Sequence, residues 1–326
     1  MFDLNDLNQT SVLVAGDLLM DQFIYGEPSR ISREAPVLII DETKREINPG
    51  GAGNAAVNVS TLGGESEIIS LVGNDDGWNK LEGVLQEYDI CTAGIEVNET
   101  VKTAVKTRVM AGSDQVVRQQ VVRIDNVQQF NSINKESLFS SIKTHIKQKL
   151  AEIDALLLSD YGLGFLEQDF LDAIIGLCQS HNVPVIADSR YDLLDFQGVT
   201  IATPNLAEAG RAVAMRLTDE DRLISAGRKI IEELSSDYLL LTRGKEGMTL
   251  FYRNGNFQHI PVDNKKDVYD VTGAGDTVAA AVALGLGAGF DVLDSVKMAN
   301  KAAGIAVTKE GAAPVYLREL KEVVSL

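Results

Sequence analysis

Asp270-Val271-Thr272-Gly273-Ala274-Gly275-Asp276 runs directly into the apolar stretch TVAAAVALGLGAG. The apolar stretch reads as a helix, so three small residues stand at its mouth. The backbone N–H groups of Gly273, Ala274 and Gly275 can converge there. Together with the positive end of the helix dipole they make an anion hole. Asp276 then falls in the first helical turn. A carboxylate there can deprotonate a hydroxyl that attacks a phosphoryl group held in the hole. The same residues also suit an ordinary Gly-rich turn with Asp276 as N-cap. The spacing is not the Walker pattern, because no G-K-[ST] follows. Nor is it the Rossmann G-x-G-x-x-G, because the helix continues with Thr277 and Val278.

Outward from this stretch, short apolar runs alternate with amphipathic ones. Residues 11–15 (SVLVA), 67–72, 155–159 (ALLLS), 183–187 (VPVIA), 200–203 and 238–242 (YLLLT) read as buried strands. Residues 52–62, 78–88, 135–150, 166–180, 206–215, 220–234 and most of 276–308 read as helices. Residues 248–261 alternate as a hairpin with Asn254-Gly255 at its turn. This order predicts an α/β fold, a doubly wound and mainly parallel sheet with helices on both faces. Two segments break the rhythm. Residues 23–47 and 102–124, the latter turning at Gly112-Ser113-Asp114, read as antiparallel strand pairs outside that core. They predict a small β-sheet lid, inserted at about 22–48 and 100–125 into one domain spanning 1–326.

Composition narrows the partners. With 30 Lys and Arg against 47 Asp and Glu the formal net charge is −17, which argues against nucleic acid and anionic membranes. An anionic substrate would need basic residues gathered locally. Arg30, Arg33, Lys106, Arg108, Arg118 and Arg123 all fall in the two lid segments, and Arg suits phosphate bidentately. Pairing with Glu34, Asp41 or Asp125, or plain solvation, is an equal alternative for each. No apolar run approaches the ~20 residues of a membrane span. The start MFDLNDLNQT lacks the marks of a signal peptide, so a cytoplasmic protein is expected. Cys91 and Cys178 read as buried reduced thiols. His145, His181 and His259 share no catalytic spacing, and Trp78 reads as core. Tyr161 suits either the cleft or strand-end packing.

A second glycine motif is Asn48-Pro49-Gly50-Gly51-Ala52-Gly53-Asn54. Its glycines permit close backbone approach, and Asn54 can both donate to and accept from vicinal hydroxyls. A tightly packed helix start explains it equally well. Taken together in this order, GG-x-G-N and D-x-x-GAGD resemble the ribokinase/PfkB family of sugar kinases along essentially the whole chain. Within that family, GDLLMDQFIYGEPSRISREAPV, LLSDYGLG, ATPNLAEA and DVYDVTGAGDT resemble the heptose-phosphate kinases of lipopolysaccharide synthesis. Two features depart from that group: Asp188-Ser189-Arg190 stands where an aspartate-proline pair is expected, and the segment RQQVVRID is longer.

The resemblance implies ATP-dependent phosphorylation of O1 of D-glycero-β-D-manno-heptose 7-phosphate. Other sugars, sugar phosphates or nucleosides are alternative acceptors, and a silent sugar- or nucleotide-binding regulator is the alternative of another class. It implies Asp276 as base and Gly273, Ala274 and Gly275 as anion hole. Asp17, Asp21, Gly50, Gly51, Asn54, Arg108 and Arg118 are implied to bind the acceptor. Asn205 and Glu208 are implied to organise Mg²⁺ and phosphates through water. Thr242, Arg243, Gly244, Gly247, Gly275 and Asn300 are implied on the nucleotide side. A monovalent cation, K⁺, is implied near Asp270, Thr272, Ala306, Lys309 and Gly311. Some relatives carry a nucleotidyltransferase domain with an H-x-G-H signature. That signature does not occur here, so a stand-alone kinase is expected. The four consecutive apolar residues 37–40 (VLII) in a two-stranded insert predict a homodimer through the lid.

Overall fold

Runs such as ALLLS are too apolar for a strand with one solvated face, so they belong in a sheet covered on both sides. The computed structural model describes residues 3–112, 118–128, 130, 135–262 and 268–324. Its first half contains β1 (Ser11–Gly16), β2 (Leu18–Ile31), β3 (Leu38–Gly51), α1 (Ala52–Thr61), β4 (Glu65–Gly73), α2 (Asp76–Glu87), β5 (Cys91–Asn98), β6 (Ala104–Ala111) and β7 (Gln119–Asn126). Then come α3 (Lys135–Lys149), β8 (Ala155–Asp160), α4 (Gln168–Ser180), β9 (Val185–Ser189), β10 (Ile201–Ala202), α5 (Leu206–Ala212) and α6 (Glu220–Leu234). The chain closes with β11 (Tyr238–Thr242), β12 (Met248–Tyr252), β13 (Phe257–Ile260), α7 (Ala274–Gly287), α8 (Val292–Ala306) and α9 (Leu317–Val324).

Nine strands form one sheet in the order β13-β12-β11-β10-β9-β8-β1-β4-β5. Neighbours from β5 to β11 are parallel, and the β12–β13 hairpin adds an antiparallel edge. Successive side chains of β1 enter two separate cores. Val12 and Val14 join the apolar faces of α1, α7 and α8, while Leu13 and Ala15 join those of α3, α4 and α6. The winding direction reverses between β1 and β8. Ligands in open α/β sheets settle beyond the carboxyl ends of the strands at such a switch point. Asp17 follows β1 there, and Asp160 ends β8.

The lid is a four-stranded sheet in the order β3-β2-β6-β7. Both hairpins are antiparallel, but β2 and β6 pair in parallel from Leu19–Ala104 to Gly26–Ala111. Antiparallel pairs alone do not describe this sheet. Both β2 and β6 leave the main sheet beyond carboxyl ends of parallel strands, so they enter the lid in the same direction. The lid strands also reach nearer the core than residues 22–48, because Leu18 pairs with Gly51. Ser113 and Asp114, expected at the second turn, lie outside the described residues. The edge strand β5 is an addition to the sequence reading: CTAGIEVN mixes polar and apolar residues, and its register shifts beside Glu67. Cys91 opens that edge and is exposed, contrary to the expectation of two buried thiols; Cys178 is buried in α4. Helix α5 stops at Ala212 rather than 215, with Ala214 in the left-handed region at φ 51°.

Candidate active site

Helix α7 is capped by Gly273 at φ 76°, a conformation that favours glycine. A Cβ at Gly273 would lie 2.8 Å from Asn54 Nδ2 and 3.0 Å from Ala312 Cβ. Glycine thus lets the starts of α1 and α7 meet. The Ala and Gly content of α7 lets it run buried between the sheet and its helical neighbours, and Asp276 is 4% exposed. Its Oδ2 accepts from Asn54 Nδ2 at 2.6 Å, and its Oδ1 accepts from the Tyr161 hydroxyl at 2.8 Å. Burial pushes the Asp276 carboxyl up. Asn54, Tyr161 and Arg190 pull it back, and the Asp21 charge adds to the rise. The net result is a carboxylate more basic than a free aspartate. Gly275 is exposed and a Cβ there would meet nothing within 4 Å, so the space over the helix mouth is open. The Ala274 N–H donates to Val271 O at 3.3 Å.

Asn54 is held by its own helix. Asn58 Nδ2 donates to the Asn54 carbonyl at 2.9 Å, while Asn58 Oδ1 accepts from Thr277 Oγ1 at 3.0 Å. The glycines before α1 allow two close approaches. A Cβ at Gly51 would lie 2.2 Å from the Asp17 carbonyl, and one at Gly50 would lie 2.7 Å from Asp21 Oδ2. A cavity of about 300 Å³ opens beside Asn54, lined by Phe23, Tyr25, Asn48, Tyr88 and residues 310–314.

The structure places Asp17 differently from Asp21. Asp17 is fully buried, and its Oδ2 accepts from the N–H groups of Tyr161 at 2.8 Å and Leu163 at 2.9 Å. Its Oδ1 finds no partner among the described residues. Burial pushes its carboxyl to about 6; the Leu163 amide opposes the shift and Asp160 adds to it. Asp160 Oδ1 accepts from Gly162 N at 2.9 Å, and its Oδ2 accepts from Ser189 Oγ at 2.7 Å. Two carboxylates at the switch point therefore grip the turn that carries Tyr161. Sequence reasoning left Tyr161 undecided. The available signal was its place directly after a buried strand.

Asp21 faces the lid, where it forms an ion pair with Arg108. Arg108 also lies 5.2 Å from the Phe23 ring. Arg118 lies 5.2 Å from the Tyr25 ring, and Arg123 bonds Asp125 at 2.7 and 2.6 Å. Lys106 comes within 5.3 Å of the Tyr161 ring. Arg30 and Arg33 are exposed at the outer end of the β2–β3 hairpin. The six basic residues thus divide between the cleft and the hairpin tip.

Among the residues expected on the nucleotide side, Asn205 and Glu208 form a capping box on α5. Asn205 Oδ1 accepts from Ala207 N and Glu208 N, and Glu208 Oε2 accepts from Asn205 N at 2.8 Å. Glu208 keeps one oxygen outside the box, and burial raises its carboxyl. This arrangement fits contact to an ion through water. Among the described residues no group of three or more His, Cys, Asp and Glu forms a direct metal cage. Thr242 bridges to Asn205, which brings the loop after β11 beside the box. Within that loop Arg243 is committed to Glu220 and Glu246, at 2.9 and 2.6 Å, rather than extended. Gly244 and Gly247 turn the loop at φ 57° and 88°. Asn300 is buried and donates to the Pro261 carbonyl at 2.7 Å.

The residues expected around a monovalent cation also gather. Asp270 Oδ1 accepts from Thr272 N at 2.9 Å and Thr272 Oγ1 at 2.7 Å, and its Oδ2 accepts from Gly311 N at 3.1 Å. These bonds outweigh burial and hold its carboxyl below the usual range. The Ala306 carbonyl accepts from Lys309 N at 3.0 Å, and Lys309 Nζ turns away to Pro314 O and Glu319. The side chains of Asp270 and Thr272 therefore shape the loop in which the expected cation residues meet.

The model of the pfkB family carbohydrate kinases matches residues 9–318. The chain belongs to the pfkB family of carbohydrate kinases. Curated relatives include the bifunctional protein HldE of Pelobacter propionicus, 36% identical over 99% of this chain and 64% of that protein. The HldE protein of Hahella chejuensis is 38% identical over 96% of this chain and 63% of its own length. The chain therefore spans under two thirds of the length of these relatives. Among solved pfkB-like folds, Arabidopsis thaliana ribokinase with ribose and ATP superposes with a TM-score of 0.76 at 18% identity, covering 97% and 99% of the two chains. Escherichia coli phosphofructokinase-2 with potassium gives 0.75 at 17% identity, covering 97% and 98%. Both share the doubly wound α/β architecture. Among the described residues no helix is long and apolar enough to cross a membrane.

Proposed function

We propose that this pfkB-family protein transfers the terminal phosphoryl group of ATP to a sugar hydroxyl, and that the acceptor is D-glycero-β-D-manno-heptose 7-phosphate at O1. One observation carries the kinase reading. A buried carboxylate, Asp276, is held by Asn54 and Tyr161 at the open N-terminus of α7, beyond the carboxyl ends of the strands. The likeness of residues 16–37 and 267–277 to the heptose-phosphate kinases supports the heptose acceptor, and relatives named bifunctional protein HldE match nearly the whole chain.

In this reading the attacking hydroxyl replaces Tyr161 or Asn54 on one oxygen of Asp276 and gives up its proton there. The amides of Gly273, Ala274 and Gly275 receive charge that develops on the phosphoryl oxygens, the Ala274 N–H turning from Val271 O. ATP supplies the phosphoryl group; Asn205 and Glu208 would hold its Mg²⁺ counterion, which would offset the phosphate charge. The loop of Asp270, Thr272 and Gly311 would hold K⁺. Asp21, Asn54, Gly50 and Gly51 line the acceptor, with Lys106 and Arg108 toward its phosphate. The lid pairs with that of a second copy.

ADP release across a panel tests the reading. The panel is heptose 7-phosphate, the same heptose without phosphate, fructose 6-phosphate, ribose and nucleosides. The heptose phosphate is expected to give the highest kcat/KM. Equal kcat/KM for the two heptoses rejects the phosphate-bearing acceptor, and no ADP release with any acceptor rejects the kinase.

A further inference from the structure

Arg190 stands at the point where the sequence departs from the aspartate-proline pair of the heptose-phosphate kinases, one residue beyond β9. Its backbone is pinned on both sides: its N–H donates to Asp160 O at 3.2 Å, and its carbonyl accepts from Arg211 Nη2. The side chain is exposed and lays its guanidinium 3.9 Å from the Tyr161 ring centre. The hydroxyl of that same ring donates to Asp276 Oδ1 at 2.8 Å. One aromatic ring thus ties the base to a fixed cation. Asp276, Asp188 and Glu208 are all close enough for their charges to act on Arg190 or to feel it, yet among the described residues none forms an ion pair with it within 4 Å. A guanidinium among three carboxylates and bound to none of them is poised for an incoming anion.

We infer that Arg190, held on the Tyr161 ring, is the cation that neutralises the phosphoryl group during its transfer. The inference rests on the kinase reading above. As the acceptor oxygen bonds to phosphorus, its proton passes to Asp276. The bond from phosphorus to the bridging oxygen breaks, and its electron pair leaves with ADP. Arg190 exchanges no proton; it hydrogen-bonds the equatorial oxygens, which carry the charge of the transition state. Its place decides between two anions. The phosphate already on the acceptor sits on C7, at the end of a two-carbon side chain, and is separate from the attacking O1. Arg190 instead lies one ring away from the base and within electrostatic reach of Glu208 on the nucleotide side.

The test uses Arg190→Ala and Arg190→Lys in the full chain. Arg190→Ala is expected to lower kcat by about 10²–10³, the scale of one lost transition-state donor, with little change in KM for ATP or acceptor. Affinity for MgADP with aluminium fluoride, a mimic of the transferring group, is expected to fall by the same factor while MgADP alone binds as before. Arg190→Lys should keep part of both, and methylguanidinium should restore part of the loss in Arg190→Ala. The inference is overturned by an unchanged kcat, by a loss confined to KM for the phosphorylated acceptor, or by equal weakening of MgADP with and without fluoride. Asp276→Asn separates the two readings. If it turns over normally the assigned base is wrong, and the fluoride complex still reports on Arg190.

Discussion

Asp276 accepts two hydrogen bonds and has almost no contact with water. Its basicity is a balance in which burial raises the carboxyl and Asn54 lowers it. Asn54→Ala removes a donor to the ionised form, so the carboxyl should rise further. The acid limb of the kcat/KM–pH profile, which reports the free enzyme, should then move to higher pH by about one to two units, since a hydrogen bond to a charged group is worth about 1.5–3 kcal/mol. A limb that stays in place, or moves to lower pH, contradicts this balance. Asp17 gives a second pH signature, in stability. Its folded value of about 6 lies above the ordinary 3.8, so the folded state holds the proton more tightly. The resulting stabilisation is present below about pH 4 and is lost as pH rises through 6, an effect of about 3 kcal/mol. Asp17→Asn cannot titrate. Urea midpoints from pH 4 to 7.5 should fall more steeply in the wild type than in Asp17→Asn, and parallel curves would remove Asp17 as their source.

At the scale of elements, the motif before α7 was legible because Gly-Ala-Gly-Asp before an alanine-rich run determines both the cap and the position of Asp276. The same holds for Gly50 and Gly51 ahead of Asn54, where close approach leaves no room for a side chain. The role of Tyr161 was not legible. It depends on Asp17 and Asp160 gripping its turn, and Asp17 is distant in sequence. The partners of Arg243 were not legible either: Glu246 lies in its own loop, but Glu220 is brought to it by α6. The parallel β2–β6 pairing was hidden for a related reason: register between two hairpins is decided by where the main sheet releases them. The lid also presents Ile31, Val37, Val122 and Ile124, at 60%, 56%, 49% and 57% exposure. Such an apolar surface on a small sheet suits a second copy. Light scattering should give a dimer at micromolar concentration, and Val37→Asp with Ile124→Asp should shift it to monomer. A wild-type monomer with full activity would end the proposal of pairing through the lid.

At the scale of the whole molecule, a chain of net charge −17 must gather cations to hold an anionic sugar and ATP. The structure gathers Lys106, Arg108 and Arg190 around Tyr161 and Asp21, next to the buried Asp276. Every part of the proposed reaction meets at Asp276, so one substitution bears on the whole account. Asp276→Asn keeps the size of the side chain and can keep the bond from Tyr161, so the fold and ATP binding should persist. The most direct measurement is single-turnover ADP formation on the best acceptor, alongside calorimetric ATP binding. ATP affinity is expected within a few-fold of the wild type and the single-turnover rate lower by roughly 10²–10⁴, the scale of a lost general base. Near-wild-type turnover with intact ATP binding would contradict the account.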